Sequence, residues 1–426
     1  MYCGNCFRDN ALVAALRREG HDTVMVPLYL PMTLDESSTT GGTPTFFGGI
    51  NVYLDQKLAW YRRAPHWLRG LADSPRLLKW ASGRAAKTRA GDVGDLTVSM
   101  LLGERGNQAR DLTELTDWLR HLPRPDAVFL SNALLAGFAR QLRSVLGCRI
   151  VCFLQSEESF LDSMPEPWRT RAWDALIDGA SDVDLWIAPT AYFARQMEHR
   201  LRLRAGRVRV VPNGISLDGY DRLPVRVPKA PGDPLSLGFF ARMCHDKGLD
   251  LVVDAFIALR RAGRLPRLLL RVGGGCGPGD EPFVAGLKDR LSAAGLLDSV
   301  SFHPNVSRDE KVAFYASCDV LSVPSRMSES FGLFLVEALA AGTPLVQPAV
   351  AGFPEILADT GGGVISGPNT SEALAAALEP LLLAPARLHA LGQAGRAAVM
   401  DRYHDGAMAR RTVAALQAHP FPQITT

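Results

Sequence analysis

Short apolar runs alternate with helix-patterned stretches along most of this sequence, and that alternation constrains the fold more than any other feature. Ala127–Leu130 (AVFL), Arg149–Leu154 (RIVCFL), Trp186–Pro189 (WIAP) and Val208–Val211 (VRVV) read as buried strands with helical sequence between them. Leu223–Pro234 (LPVRVPKAPGDP) has no apolar period and is rich in proline, a linker signature. A second series follows it. Strands are expected over Leu235–Phe240, Arg267–Val272, Val300–His303, Val320–Val323 and Leu345–Pro348. Helices are expected over Leu249–Ala262, Pro282–Ala294, Arg308–Ser317, Phe331–Ala341 and Glu372–Leu383. A helix between two strands returns the chain to the same end of the sheet, so the strands lie parallel and the helices cover both faces. The expected architecture is two doubly wound domains facing a cleft, with ligands at the carboxyl ends of the strands.

Composition agrees with two folded domains. The chain has 426 residues, and roughly 100–200 residues make one domain. Its 47 Lys and Arg against 44 Asp and Glu give a net charge of +3, which supplies no global pull toward nucleic acid. The sequence contains no apolar run of roughly 18 residues free of charge or proline, and MYCGNCFRDN lacks the pattern of a signal peptide, so the expected location is cytoplasmic. The seven cysteines are odd in number and scattered, unlike a disulfide framework. Cys3 and Cys6 leave three readings open: plain loop thiols, a redox or regulatory pair, or half of a metal site that lacks a second pair of ligands. At the start, Asp9 or Asn10 is expected to cap a helix that Gly20 ends, followed by a strand over Asp22–Leu30. From Thr33 to Thr113 the expectation is a long irregular stretch.

The segment from Val323 to Glu337 (VPSRMSESFGLFLVE) carries the most chemistry. A strand ends, a polar loop follows, and a helix begins near Phe331, with Glu329 ahead of it and Glu337 inside it. At ~1.5 Å per residue these carboxylates are on the order of 10–12 Å apart along the axis. That is too far for a glycosidase pair but suits a long ligand with hydroxyls at both ends and an anion between. The N–H groups of Phe331, Gly332 and Leu333 would face the anion. The blander reading is a capping Glu329 and a salt-bridged Glu337. Arg242 and Lys247, after the first strand of the second series, would point into the same crevice and neutralise a diphosphate.

These fragments, in order and spacing, resemble the retaining nucleotide-sugar glycosyltransferases of family 4, which have the GT-B fold of two Rossmann-like domains. The likeness also rests on Gly20-His21-Asp-Thr-Val, Val211-Pro-Asn-Gly214-Ile, Arg271-Val-Gly-Gly-Gly, Asp319-Val-Leu-Ser-Val-Pro-Ser325, Gly352-Phe-Pro-Glu355 and Gly363-Val-Ile. It implies an α/β acceptor-side domain over 1–212 and a donor-binding domain over 213–399. It also implies a C-terminal helical segment, 400–426, that packs back on the first domain. Glu329 would face the donor sugar, Glu337 the ribose, Arg242 and Lys247 the diphosphate, and the backbone near Val306 the base. Cys3-Gly4 would align with a glycine-rich turn over the diphosphate. No metal or other cofactor is expected.

Two departures from that family stand out. Gln155 occupies a position where members often carry His, and Gln cannot change its charge near neutral pH. Glu157 or Glu158 would then activate the acceptor, or simply serve as loop carboxylates. The apolar strand that would precede Cys3-Gly4 is missing, which predicts further residues upstream of Met1. Tyr61–Ala90 is basic and interleaved with Trp67 and Trp80, with Trp60 beside it. It reads either as a surface for anionic membrane or a lipid-linked acceptor, or as a solvated helix pair with inward tryptophans. Arg195–Arg209 reads as a solvated rim, with no nucleic-acid partner expected. The sequence leaves the acceptor open between a glycan, a lipid-linked and a small-molecule hydroxyl. Two alternatives to transfer remain, a non-catalytic nucleotide-sugar binder and a sugar-nucleotide epimerase.

Overall fold

The computed structural model describes residues 4–28, 38–40, 43–44, 46–47, 90–230 and 232–419. Its first sheet has four parallel strands in sequence order: β1 (Ala127–Leu130), β2 (Arg149–Phe153), β3 (Leu185–Ala188) and β4 (Val208–Val210). Val128 pairs with Ile150, Cys152 with Trp186, and Ile187 with Arg209. Side chains alternate between faces along each strand, so the sheet feeds two cores. Val151, Phe153, Leu185 and Ile187 pack against Ala11, Leu12, Ala15 and Leu16 of helix α1 (Gly4–Arg18). Ile150, Cys152 and Trp186 face the other way, toward Val98 and Leu101 of α2 (Ala90–Leu101) and Leu112 of α3 (Ala109–Arg120).

Between the strands run α4 (Ala139–Leu146), α5 (Glu157–Asp162), α6 (Trp168–Gly179) and α7 (Ala191–Arg200). The expected linker, 223–234, carries no helix or strand among its described residues. It is nevertheless fastened to residues of the second series. Arg226 donates to Thr343 Oγ1 at 2.7 Å, and Lys229 pairs with Asp319 at 2.7 Å.

The second sheet holds β5 (Ser236–Phe240), β6 (Leu269–Gly274), β7 (Val300–Pro304), β8 (Val320–Leu321), β9 (Leu345–Gln347) and β10 (Gly363–Ile365). All are parallel, in the order β10-β9-β8-β5-β6-β7. The order reverses at the β5/β8 pair, and the crevice beyond their carboxyl ends is where such a sheet holds a ligand. The helices are α8 (Leu249–Arg261), α9 (Glu281–Ala293), α10 (Arg308–Ser317), α11 (Leu333–Ala340), α12 (Phe353–Thr360), α13 (Ser371–Leu382) and α14 (Pro385–Arg402). A last helix, α15 (Asp405–Gln417), lies on α1 of the first sheet, tied by Arg18–Asp405 at 2.7 Å and Arg410–Glu19 at 2.9 Å. No single helix among the described residues is long and apolar enough to cross a membrane.

Several expectations need correction. The first helix starts at Gly4, not at a cap on Asp9 or Asn10. Those side chains work at long range instead. Asp9 accepts from Ser131 Oγ, and Asn10 Oδ1 accepts from the backbone and hydroxyl of Thr39. The described part of Asp22–Leu30 is not a strand: the Met25 and Leu28 carbonyls bond to Thr43 Oγ1 and Phe47 N–H, and Val24 is exposed. The stretch read as irregular contains α2, hidden by its glycines. A Cβ at Gly94 would stand 2.5 Å from the Trp168 ring, so glycine is what lets α2 lie against α6. The helix expected near Phe331 starts at Leu333. The C-terminal segment is not one helix from Met400: Met400 lies in the last turn of α14, which ends at Arg402, Tyr403 and His404 break the chain, and α15 begins at Asp405. Residues 61–89 of the basic, tryptophan-bearing stretch lie outside the described residues.

Candidate active site at the strand-order reversal

β5 ends at Phe240, and Arg242 follows at the crevice. Its Nε stands 3.0 Å from each Asp280 oxygen, and a terminal nitrogen stands 2.9 Å from the same carboxylate. The bonds from Arg242 hold the Asp280 carboxyl below its ordinary range. The Arg242 side chain is 65% exposed, so its other donors face solvent. Further along this loop Lys247 pairs with Glu329, which also accepts from Ser325 Oγ at 3.3 Å.

Backbone geometry makes that pairing. Gly248 has φ +74°, and a Cβ there would lie 2.1 Å from the Pro324 carbonyl oxygen. Only glycine permits so close an approach between the two loops. Arg326 completes the junction with two bonds to Asp250, at 2.8 and 2.7 Å, and one to the His245 carbonyl at 2.6 Å. Burial raises the Asp250 carboxyl, but the bonds and charge of Arg326 outweigh it and hold it low.

Glu337, on α11, accepts from Lys311 at 3.0 Å and from the Tyr315 hydroxyl at 2.9 Å. Burial, with the Glu337 charge beside it, pushes the Tyr315 phenol well up. Between the two glutamates, Phe331, Gly332 and Leu333 donate no backbone hydrogen bond among the described residues. Their N–H groups and the positive end of α11 suit an anion. Val306 is half-buried after β7, beyond Asn305, whose amide exchanges two bonds with Cys276 at 3.0 and 2.9 Å.

The first domain brings its own groups to the cleft. Gly4 is the first residue of α1 rather than part of a turn, and Cys6 lies inside that helix. Phe7 and Arg8 line the cleft beside Ile215, Lys311 and Glu337. Gln155 and Asn213 exchange amide hydrogen bonds at 3.3 and 3.2 Å. Glu157 is buried and accepts the N–H groups of Ala133 at 2.9 Å and Gln155 at 2.7 Å. Burial pushes its carboxyl up to about 7. Glu158 is also buried and raised for the same reason.

Sequence reasoning missed Arg8, Asp280, Lys311 and Tyr315. Arg8 is 1% exposed, lies over the Phe153 ring at 3.9 Å and donates to the Ser131 carbonyl at 2.7 Å. An arginine on the otherwise apolar, inward face of α1 was the signal available for it.

Two parallel, doubly wound sheets sharing one cleft define the GT-B arrangement. Solved structures agree on the fold. HepE of Anabaena, solved with UDP, has a TM-score of 0.62 at 17% identity, covering 92% of this chain and 100% of that one. Sucrose-phosphate synthase of Thermosynechococcus elongatus has a TM-score of 0.59 at 21% identity, covering 73% and 78%.

Residues 225–398 match the family model described as glycosyl transferases group 1, and residues 82–218 match glycosyltransferase family 4. Both of the chain's domains thus match glycosyltransferase family models. Among its curated relatives, the D-inositol 3-phosphate glycosyltransferase of Mycobacteroides abscessus is 36% identical over 208 residues, 47% of this chain and 45% of that one. The protein of the same name from Segniliparus rotundus is 31% identical over 237 residues, 54% and 51%. The chain thus spans about half the length of the curated relatives it matches.

Proposed function

We propose that this chain moves a hexosyl group from a nucleotide-diphosphate sugar to a hydroxyl acceptor with retention of anomeric configuration. One observation carries the proposal. Two cations, two carboxylates and a helix N-terminus converge where the second sheet reverses its strand order. Arg242, Lys247 and the N–H groups at Phe331–Leu333 meet the charge that builds on the departing diphosphate, so the reaction needs no resident metal. Glu329 accepts from the donor sugar's hydroxyls, with Lys247 shared between it and the phosphate. Glu337, fixed by Lys311 and Tyr315, accepts from the ribose. Neither carboxylate acts as nucleophile. The acceptor hydroxyl enters on the face the diphosphate leaves, and the departing phosphate oxygen takes its proton.

In this reading the donor lies on the 213–399 side and the acceptor on the 1–212 side, near Gln155. UDP bound to HepE favours a uridine donor. The names of the curated relatives favour a small cyclic polyol phosphate as acceptor. The test is a screen of UDP- and GDP-sugars for release of nucleoside diphosphate, with and without inositol phosphate. Arg242→Ala is expected to lower kcat about 100- to 1000-fold. Undiminished turnover in Arg242→Ala and in Lys247→Ala would remove this assignment.

A further inference from the structure

The Gly352-Phe-Pro-Glu355 segment has no role in the chemistry above, yet its carboxylate leaves its own domain. Glu355, on α12, accepts the N–H of Ala191 at 2.8 Å and that of Tyr192 at 3.0 Å. These are the first two residues of α7, in the other domain. They are N–H groups that a helix cannot satisfy internally, and the positive end of the helix favours a carboxylate.

Bonds on either side continue the contact. Thr190, the α7 cap, donates through Oγ1 to the Ser330 carbonyl at 2.9 Å and accepts from Phe193 N–H. Ser330 N–H donates to Ser156 Oγ at 2.9 Å. Gly352 N–H donates to the Glu329 carbonyl at 3.2 Å, and a Cβ on Gly352 would stand 2.8 Å from the Ser330 oxygen. Two of the four non-glycine residues with positive φ among those described, Ser156 and Ala351, flank this seam. Strained backbone persists where surrounding contacts enforce it.

We infer that Glu355 is a positioning residue that clasps the two domains together, capping α7 and thereby fixing the Glu329–Ser330 loop over the donor. The inference rests on the proposed transfer reaction for its consequence, but not for its geometry. Closure of the cleft and placement of Glu329 become one event, because Gly352 joins the clasp directly to the Glu329 carbonyl.

Two variants test it. Glu355→Ala removes the carboxylate. Ala191→Pro removes one donor and leaves the helix intact, since proline suits the first helical position and Thr190 is already extended at φ −141° and ψ 155°. Hydrogen exchange of the 190–195 peptide reads the clasp without reference to activity. Glu355→Ala is expected to speed exchange at Tyr192 about tenfold or more, as loss of a charge-assisted bond requires. It is also expected to lower kcat with the matching sugar donor by about 10- to 100-fold, while Kd for UDP or GDP changes less than about threefold. Glu355→Gln, which retains one acceptor oxygen, should recover part of kcat. Ala191→Pro should lower kcat in the wild-type background and add nothing to Glu355→Ala.

Unchanged exchange at Tyr192 in Glu355→Ala, or additive losses in the double variant, would overturn the clasp. A parallel fall in UDP or GDP affinity and kcat, with no recovery in Glu355→Gln, would overturn the positioning role. If no nucleotide sugar is turned over, the proposed reaction fails while the exchange measurement still decides the clasp.

Discussion

Glu157 and Gln155 show how single side chains set the first domain's edge of the cleft. The two N–H bonds to Glu157 lower its carboxyl, but burial is the larger effect and moves it from 4.5 to about 7. Because the folded value is raised, the stability this group contributes is complete below about 4.5 and is lost as pH rises through about 7. Glu157→Gln has no such titration. Wild type should therefore lose stability relative to Glu157→Gln between about pH 5 and pH 8, read as urea midpoints. A difference that does not vary with pH would contradict the buried, raised carboxyl. Gln155→Ala should raise the acceptor KM and leave the donor KM near wild type, since the Gln155 side chain pairs with Asn213 and not with Arg242, Lys247, Glu329 or Glu337. Arg242, Lys247, Glu329 and Glu337 were legible because each follows or precedes a recognisable strand end. Their pairings were not. Asp280 lies 38 positions from Arg242, and the Lys247–Glu329 pair spans 82, distances that only tertiary packing closes.

Among the elements, the strands β5 to β9 of the second domain and the helices between them were readable, because β5, β8 and β9 are buried along their whole length and the helices pack apolar faces on them. Arg308–Ser317 begins with a capping box of Ser307 and Glu310, and its bounds are those its sequence predicts. The segment after α1 was misread for a physical reason: apolar content secures packing, while strand pairing also needs a neighbour with free backbone groups. Gly248 tests the element level directly. Gly248→Ala forces a left-handed residue and a clash with Pro324, costing about 1–3 kcal/mol and separating Lys247 from Glu329. Urea unfolding should show the loss, and turnover should fall further than stability alone explains. Wild-type turnover in that variant would mean the Lys247–Glu329 contact is dispensable.

At the scale of the molecule, the described residues cross between the two sheets twice, once before β5 and once at the break before α15. The second crossing is secured where Ile215 and His404 form a bridge and Asp405 N–H donates to the Ile215 carbonyl at 2.9 Å. Met408 of α15 is 2% exposed in the core that covers one face of the first sheet. Met408→Asp would place a charge there, and calorimetry should show the first domain melting early, by several kcal/mol, with the second little changed. A single unshifted transition would contradict the role of α15 as the lid of the first sheet. Sugar transfer at the strand-order reversal is measured most directly by release of nucleoside diphosphate from UDP- or GDP-sugars. The purified chain should release one of the two, with the product sugar retaining the donor's anomeric configuration and with the release lowered about 100- to 1000-fold by Arg242→Ala. Release that persists undiminished in that variant, or a product of inverted configuration, would contradict it.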